Sequence, residues 1–354
     1  MKVTHKLALI GFGNVGQGFA EILRDKKEFL YETEELTTKI VAIADINKGS
    51  IYHPDGLDIS TVLDVLEGTG TIENYPACEG LMTGWNSLKT IQETNADTII
   101  EVSFTDVNTG QPAIDYCKAA FNSGKNVVMT NKGPVALAFK ELMELARRKG
   151  VYWGFEGTVM SGTPALRMPV TTLAGNEITE IRGILNGTTN YILTKMEEDG
   201  ISFKEALKQA QELGYAEADP TNDIEGYDAR YKIVILANYL MGANLNVKDV
   251  ICKGITNLTL KEIETAKMER KRWKLLAKAT KRGEQICASI APEKVELLDP
   301  LASISGAVNA VTYECDLLGP VTLSGAGAGK RETGFSLLID LISIHRQTLS
   351  NHNR

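Results

Sequence analysis

An α/β fold, with a parallel-sheet dinucleotide-binding domain followed by a second α+β domain, is what the chain predicts, and three observations carry it. A glycine turn, G-x-G-x-x-G at Gly11, Gly13 and Gly16, stands between the apolar run "LALI" and an amphipathic stretch. Apolar strands then alternate with helical stretches through the first third of the chain, the pattern of βαβ units and a Rossmann-type sheet. After Gly150 that alternation gives way to glycine- and hydroxyl-rich segments and an acidic loop, and 354 residues are too many for one small core.

The first strand is read at Leu7–Ile10 and the first helix from Asn14 or Val15. In that geometry the first glycine makes the turn, the second lets backbone approach a pyrophosphate, and the third lets helix pack on strand. The helix N-terminus then turns free N–H groups towards an anion, so Gly11, Phe12, Gly13, Asn14, Val15 and Gly16 are the expected cofactor residues. One long helix separates this turn from a second strand, "KIVAIAD", which ends on Asp45. An acid there accepts hydrogen bonds from a ribose and favours NAD, whereas Lys48 nearby suits the 2′-phosphate of NADP, so both cofactors stay open.

Strands at "DTIIEV" and "NVVM", with a helix around Pro112–Ser123 between them, extend the sheet. Ligands lie beyond the carboxyl ends of such strands, which points Ser103, Phe104 and Thr105, and Thr130 to Lys132, at the cofactor. Lys132 either meets substrate beside the nicotinamide or caps the strand in solvent.

In the middle of the chain "VYWGFEGTVMSGTPALR" reads first as a domain crossover, although carbonyls of such a turn can hold a hard cation. "EITEIRGILNGTTNYIL" gives a strand, a polar turn and a helix. Ser202 and Glu205 form a capping box for a helix whose apolar positions are Phe203, Ala206, Leu207, Ala210 and Leu213, stopping at Gly214. The acidic loop "GYAEADPTNDIEGYDARYK" follows, and a further helix starts near Ile224 or Gly226 and runs through the apolar "IVILANYLM". On it Asp228 and Lys232 are spaced i, i+4 and share a face. The acids Glu217, Asp219, Asp223, Glu225 and Asp228 suit either a cation or a substrate ammonium. Ammonium ranks higher, because this stretch has no histidine and a lysine among the ligands would repel a metal.

The net charge of −7 argues against a nucleic-acid partner, and the basic run "KMERKRWK" is read as a solvated face. Five scattered cysteines without a C-x-x-C pair fit a reducing cytoplasm and no disulfide framework or zinc site. No stretch predicts a membrane span or a signal peptide.

The motifs "GILNGTTNYIL", "AQELGYAEADPTNDIEGYDARYKIVILA", "GFGNVG", "NKGP", "DPLASISGAVNAV" and "GAGAG" together resemble homoserine dehydrogenase across nearly the whole chain. The resemblance implies NAD(P)-dependent interconversion of L-homoserine and L-aspartate 4-semialdehyde, on the way to threonine and methionine. It implies Lys232 as the proton-transferring lysine and Lys132 as a second lysine between nicotinamide and substrate. Glu217 and Asp228 would hold the substrate amino group, with Tyr215, Gly187 and Thr188 in the same pocket. Gly327 and Ala328 would return to the nicotinamide, and backbone carbonyls of Glu156, Val159, Ser161 and Thr163 would hold a structural sodium ion.

The implied domains are 1–155 plus 325–354 for NAD(P) and 156–324 for substrate binding, catalysis and dimerisation, with homodimer contacts around 155–175 and 300–325. Two departures follow: no C-terminal regulatory domain is expected after the last helix, and "KRETGF" stands where many relatives carry a proline-threonine-alanine turn. The rival readings are an oxidoreductase for another amino-acid semialdehyde and a non-catalytic dinucleotide sensor. Asn131-Lys132-Gly133-Pro134, in place of E-K-P, counts against sugar dehydrogenases.

Overall fold

The computed structural model describes residues 3–352, so the outermost residues of the expected first domain, 1–2 and 353–354, lie outside the described residues. Two compact units form, one from residues 1–162 with 329–354 and the other from Thr163–Ala328.

The first unit is a seven-stranded sheet. Its strands are β1 (Thr4–Ile10), β2 (Thr37–Asp45), β3 (Gly49–Tyr52), β4 (Met82–Thr83), β5 (Thr98–Glu101), β6 (Asn126–Met129) and β7 (Trp153–Gly154), in the order β4-β3-β2-β1-β5-β6-β7. The β2-β1-β5-β6-β7 block is parallel, while β3 and β4 add antiparallel at one edge. Its buried strands read as apolar runs because both faces are covered. Helices α1 (Asn14–Asp25), α2 (Lys27–Glu34), α3 (Ile59–Thr69), α4 (Ser87–Glu93), α5 (Ala113–Asn122), α6 (Lys132–Leu137) and α7 (Phe139–Lys149) make the crossovers. The chain leaves β1 for β2 on one side and returns to β5 on the other, so the switch point, where ligands bind in such sheets, falls at Gly11 and Val102.

In the second unit α8 (Arg167–Thr172) precedes a six-stranded sheet of β8 (Ile178–Ile184), β9 (Ile251–Cys252), β10 (Lys271–Arg282), β11 (Gln285–Glu296), β12 (Val308–Cys315) and β13 (Gly319–Ala326). Its order is β13-β12-β8-β10-β11-β9, antiparallel except for the β9–β11 pair. Helices α9 (Gly187–Asp199), α10 (Phe203–Glu212), α11 (Thr221–Ile224), α12 (Tyr227–Leu240) and α13 (Leu260–Met268) complete it, and Ile184, Leu276, Val295, Leu301 and Ala310 form one buried cluster. The last helix, α14 (Lys330–His352), belongs to the first unit, where Leu337, Leu338, Leu341 and Ile342 join the core built on Leu7, Leu9 and Phe19.

Four local expectations change. The long helix expected after the glycine turn is two helices, broken at Lys26, because the second part buries only Leu30 and runs as a separate surface turn. A short turn, α11, precedes α12, which starts at Tyr227 behind Gly226 at φ 81°, a left-handed value that glycine reaches at little cost. The capping box of α10 forms, yet Leu213 stands past its last turn and is exposed. The basic run is no solvated face throughout: after a turn at Arg270 the middle of β10 is buried continuously from Lys274 to Ala277, and Asn190 Oδ1 and the Ile304 carbonyl accept from the Lys274 ammonium. Burial pushes that amine down to about 8.

Candidate active site

The glycine turn is built as its sequence requires. Gly11 sits at φ 93°, and a Cβ there would lie 2.5 Å from the Val102 carbonyl oxygen; one at Gly16 would meet the Gly11 carbonyl at 2.9 Å. Gly13 has nothing within 4 Å of its Cβ position, so the turn presents open backbone there, at the residue that precedes α1 and offers no side-chain cap to its N–H groups. Open backbone before uncapped amides is the arrangement a pyrophosphate needs.

Asp45, at the end of β2, holds this turn from behind. Its Oδ2 accepts the Phe12 N–H at 2.7 Å, and Oδ1 accepts the N–H groups of Asn47 at 2.9 Å and Lys48 at 3.1 Å. Lys48 Nζ donates to the Phe12 carbonyl at 2.9 Å. Carboxylate and ammonium therefore both attach to Phe12, beside the glycines.

Beyond β5 and β6 the chain forms the other wall. The Ser103 carbonyl accepts from Asn131 Nδ2 at 3.2 Å, and Asn131 Oδ1 accepts the Gly133 N–H at 3.3 Å, capping α6 at Lys132. A Cβ on Gly133 would lie 2.6 Å from the Thr105 methyl, so Thr105 packs closely on that turn. Phe104 projects outward, 83% exposed.

In the second unit the acidic loop and α12 converge on the start of α9. Lys232 Nζ donates to Asp228 Oδ2 and to the Leu185 carbonyl, each at 2.7 Å, with side-chain exposures of 9% for the lysine and 15% for the aspartate. Asn186 Nδ2 donates to Asp223 Oδ1 at 2.7 Å and to Asp228 Oδ2 at 3.1 Å, while its own Oδ1 caps α9 through the Thr189 N–H at 2.9 Å. Burial, and then the neighbouring charge of Asp228, raise the Asp223 carboxyl above its ordinary range. Thr188 Oγ1 donates to the Tyr215 carbonyl at 2.6 Å, and the Tyr215 ring packs against Tyr191 at a tilt of 51° with centroids 5.0 Å apart. A Cβ at Gly187 would stand 2.7 Å from the Ala307 carbonyl oxygen, which explains a glycine as the first residue of α9.

An ammonium and two carboxylates gathered around one asparagine form a polar cluster at the N-terminus of a largely buried helix. Such a cluster can hold a zwitterion and move a proton at a neighbouring oxygen. Among the described residues no group of three or more His, Cys, Asp or Glu could hold a metal ion.

The homoserine dehydrogenase family profile matches residues 164–342, and the profile of the glutamate/leucine/phenylalanine/valine dehydrogenase family matches residues 2–113. A relative from Pseudomonas canavaninivorans, an NAD(+)-dependent homoserine dehydrogenase, is 46% identical over 343 residues, covering 97% of this chain and 96% of that protein. This chain belongs to the homoserine dehydrogenase family. A crystal structure from Archaeoglobus fulgidus, assigned to homoserine dehydrogenase, superposes with a TM-score of 0.86 at 36% identity, over 96% of this chain and 99% of that one. A hyperthermophilic archaeal homoserine dehydrogenase mutant in complex with NADPH gives a TM-score of 0.82 at 28% identity, over 98% of each chain.

In this homoserine dehydrogenase family member the structure draws together only some of the residues that the sequence nominates. Asp228, Lys232 and Thr188 are in or beside the cluster, and Gly187 opens the helix that the cluster caps. Tyr215 reaches it by its carbonyl, while its ring is 47% exposed. Glu217 is exposed on the same loop, where its carbonyl accepts from Gln211 Nε2, and Asp219 caps Thr221. Glu225 turns away to the Thr256 hydroxyl.

Asn186 is the residue the sequence reading missed. Its signal was the "LNGTTN" turn, in which an asparagine stands at the N-cap position three residues before the amide it accepts. At the end of β13, Gly327 lies against Asn309, whose amide atoms would be 2.4 Å from a Cβ at that position, and Ala328 follows it. In the segment proposed for sodium, Met160 and Ser161 have left-handed φ values of 57° and 56°, and the carbonyls of Glu156 and Thr163 accept N–H bonds from Val159 and Ala165.

Proposed function

We propose that the chain catalyses the NAD(P)-dependent interconversion of L-homoserine and L-aspartate 4-semialdehyde, a step of amino-acid biosynthesis towards threonine and methionine. The observation that carries the mechanism is the Lys232 ammonium held between Asp228 Oδ2 and the Leu185 carbonyl. An ammonium has three donors, and these two bonds commit two of them. The third serves the substrate oxygen: Lys232 gives its proton to the aldehyde oxygen during reduction and recovers it from the hydroxyl during oxidation. Lys132, at the head of α6, is the second lysine on the reacting oxygen's side. Glu217 and Asp228 hold the substrate ammonium, with Tyr215, Gly187 and Thr188 lining its pocket. Asn186 fixes Asp228 by a hydrogen bond and ties it to Asp223 through the same amide nitrogen.

Bound NAD(P) supplies the hydride acceptor for C4 of homoserine. Gly11 to Gly16 would hold its pyrophosphate and Asp45 its ribose, with Ser103, Phe104, Thr105, Gly327 and Ala328 towards the nicotinamide. The open backbone at Gly13 and the uncapped start of α1 support that fit. The first unit is then the dinucleotide domain and the second the substrate and dimerisation domain.

Three further assignments belong to the same reading. The protein works as a cytoplasmic homodimer through the segments around 155–175 and 300–325, which light scattering tests. A structural sodium ion sits on carbonyls of Glu156, Val159, Ser161 and Thr163, and replacing sodium by choline should lower the melting temperature. No described helix is long and apolar enough to cross a membrane.

The deciding experiment is the initial rate at the reduced-nicotinamide absorbance band with L-homoserine, comparing NAD and NADP, with L-serine and L-threonine as controls. Turnover confined to homoserine supports the assignment. A folded protein that binds dinucleotide yet turns over none of the three refutes it.

A further inference from the structure

Glu101 ends β5 with none of its surface exposed, in register with Ile10 of β1 and Met129 of β6. A carboxylate in such surroundings is costly unless its oxygens are bonded, so its position calls for a reason. Oε1 accepts two bonds from one residue, the Ser103 N–H at 3.0 Å and the Ser103 hydroxyl. Oε2 is sealed without a hydrogen-bond partner, so nothing there offsets the loss of water for the ionised form. Burial pushes the carboxyl up to about 7, with the Ser103 bonds and then the nearby Asn131 side chain acting the other way.

What Glu101 holds lies beside the glycine turn. Ser103 is tied onward by its carbonyl to Asn131, and Asn131 caps the first turn of α6, where Lys132 sits. One buried acid thus anchors two loops that leave adjacent strands at their carboxyl ends. A residue needed only to fill the interior would be apolar here, as Ile99 and Ile100 are.

We infer that Glu101 is a positioning residue for the dinucleotide site: its buried carboxyl fixes the backbone at Ser103 and, through Asn131, the first turn of α6 that presents Lys132. This rests on the first unit being the dinucleotide domain. Cys117 of α5 also faces the carboxyl, but its thiol is held well above 9.0 by burial and then by Glu101, so it does not ionise in the neutral range. The register neighbours Ile10 and Met129 carry no charge.

The test uses the full-length protein as wild type, Glu101→Gln and Glu101→Ala. NADH dissociation constants come from nicotinamide fluorescence between pH 5.5 and 8.5, with kcat and KM for homoserine and melting temperatures alongside. Glutamine keeps the side-chain length and an acceptor for Ser103 but has no proton to lose. Its NADH affinity should therefore stay within about twofold of wild type at pH 6, where Glu101 is mostly protonated, and should lack the wild-type inflection near pH 7. Alanine should weaken NADH about tenfold or more at every pH, as expected on losing one strong buried hydrogen bond.

Superimposable wild-type and glutamine profiles, or alanine affinity within twofold of wild type, would overturn the inference. If the alanine variant does not fold, the glutamine profile decides alone. NADH binding that follows the expected pattern without homoserine turnover would leave Glu101 in its role and remove the substrate assignment. Absence of NADH binding to the wild type would remove the inference as well.

Discussion

Lys232→Met separates the chemical role of the lysine from its structural one. Methionine keeps an unbranched apolar stem but removes all three donors of the ammonium, so the reaction loses its acid–base group. General acid–base catalysis contributes about 10²- to 10⁴-fold, or about 3–5 kcal/mol of barrier, and kcat should fall by that factor. The structural cost is separate. Asp228, with 15% side-chain exposure, keeps the Asn186 bond at 3.1 Å but loses its cation beside Asp223.

Breaking a fully buried pair costs about 3–5 kcal/mol. The surviving bond and the residual exposure reduce this to about 1–3 kcal/mol, or a melting-temperature drop of several degrees. Lys232→Met with Asp228→Asn removes the carboxylate charge that has lost its lysine and should restore most of the melting temperature while leaving kcat low. The assays are steady-state turnover of homoserine, NADH fluorescence titration and calorimetry on all three variants. Recovery of kcat in the double variant, or a defect confined to NADH affinity in the single one, would refute the role of Lys232.

Other outcomes follow from the first unit. Gly13→Ala should leave the melting temperature nearly unchanged, because nothing stands within 4 Å of the added Cβ, but weaken NADH about a hundredfold by blocking the pyrophosphate. Gly11→Ala meets the Val102 carbonyl oxygen at 2.5 Å with φ 93° and should cost about 3 kcal/mol or more of stability, read by urea unfolding. Asp45→Ala frees the Phe12 N–H and should weaken NADH about tenfold while shifting the NADH-to-NADPH affinity ratio towards NADPH, because the carboxylate that would repel a 2′-phosphate is gone while Lys48 stays beside Phe12.

His345 adds a pH dependence. Its Nε2–H donates to the Glu34 carbonyl at 3.0 Å and its Nδ1 pairs with His5 Nε2 at 3.0 Å, and burial, then the adjacent His5, lower its pKa below 6.5. The unfolded chain then binds more protons than the folded one as the pH drops, so this contribution is present above pH 6.5 and is lost as the pH falls through the lowered pKa. Melting temperatures between pH 7.5 and 5 should fall more steeply for wild type than for His345→Gln.

The sequence by itself determined whatever depends on near neighbours along the chain. The glycine turn needs residues that tolerate φ 93° and a 2.5 Å approach, and only glycine offers both, so Gly11 was legible as a single letter. The capping box at Ser202 and Glu205, and the shared face of Asp228 and Lys232, follow from the fixed pitch of a helix and were legible for the same reason. Five acids in one loop, however, look alike in sequence.

Only the tertiary structure decided that Asp223 and Asp228 face Lys232, that Glu217 and Asp219 stay outside, and that Glu225 turns to Thr256. Asn186, which joins the two inner acids, arrives from the start of another helix, and no local period encodes that meeting. Burial is a long-range property too. Nothing local marks Glu101 in "DTIIEV" as buried, and the lysines of "KMERKRWK" read as surface, until the fold closes over Glu101 and Lys274 and the loss of water moves these groups to pKa values of about 7 and about 8.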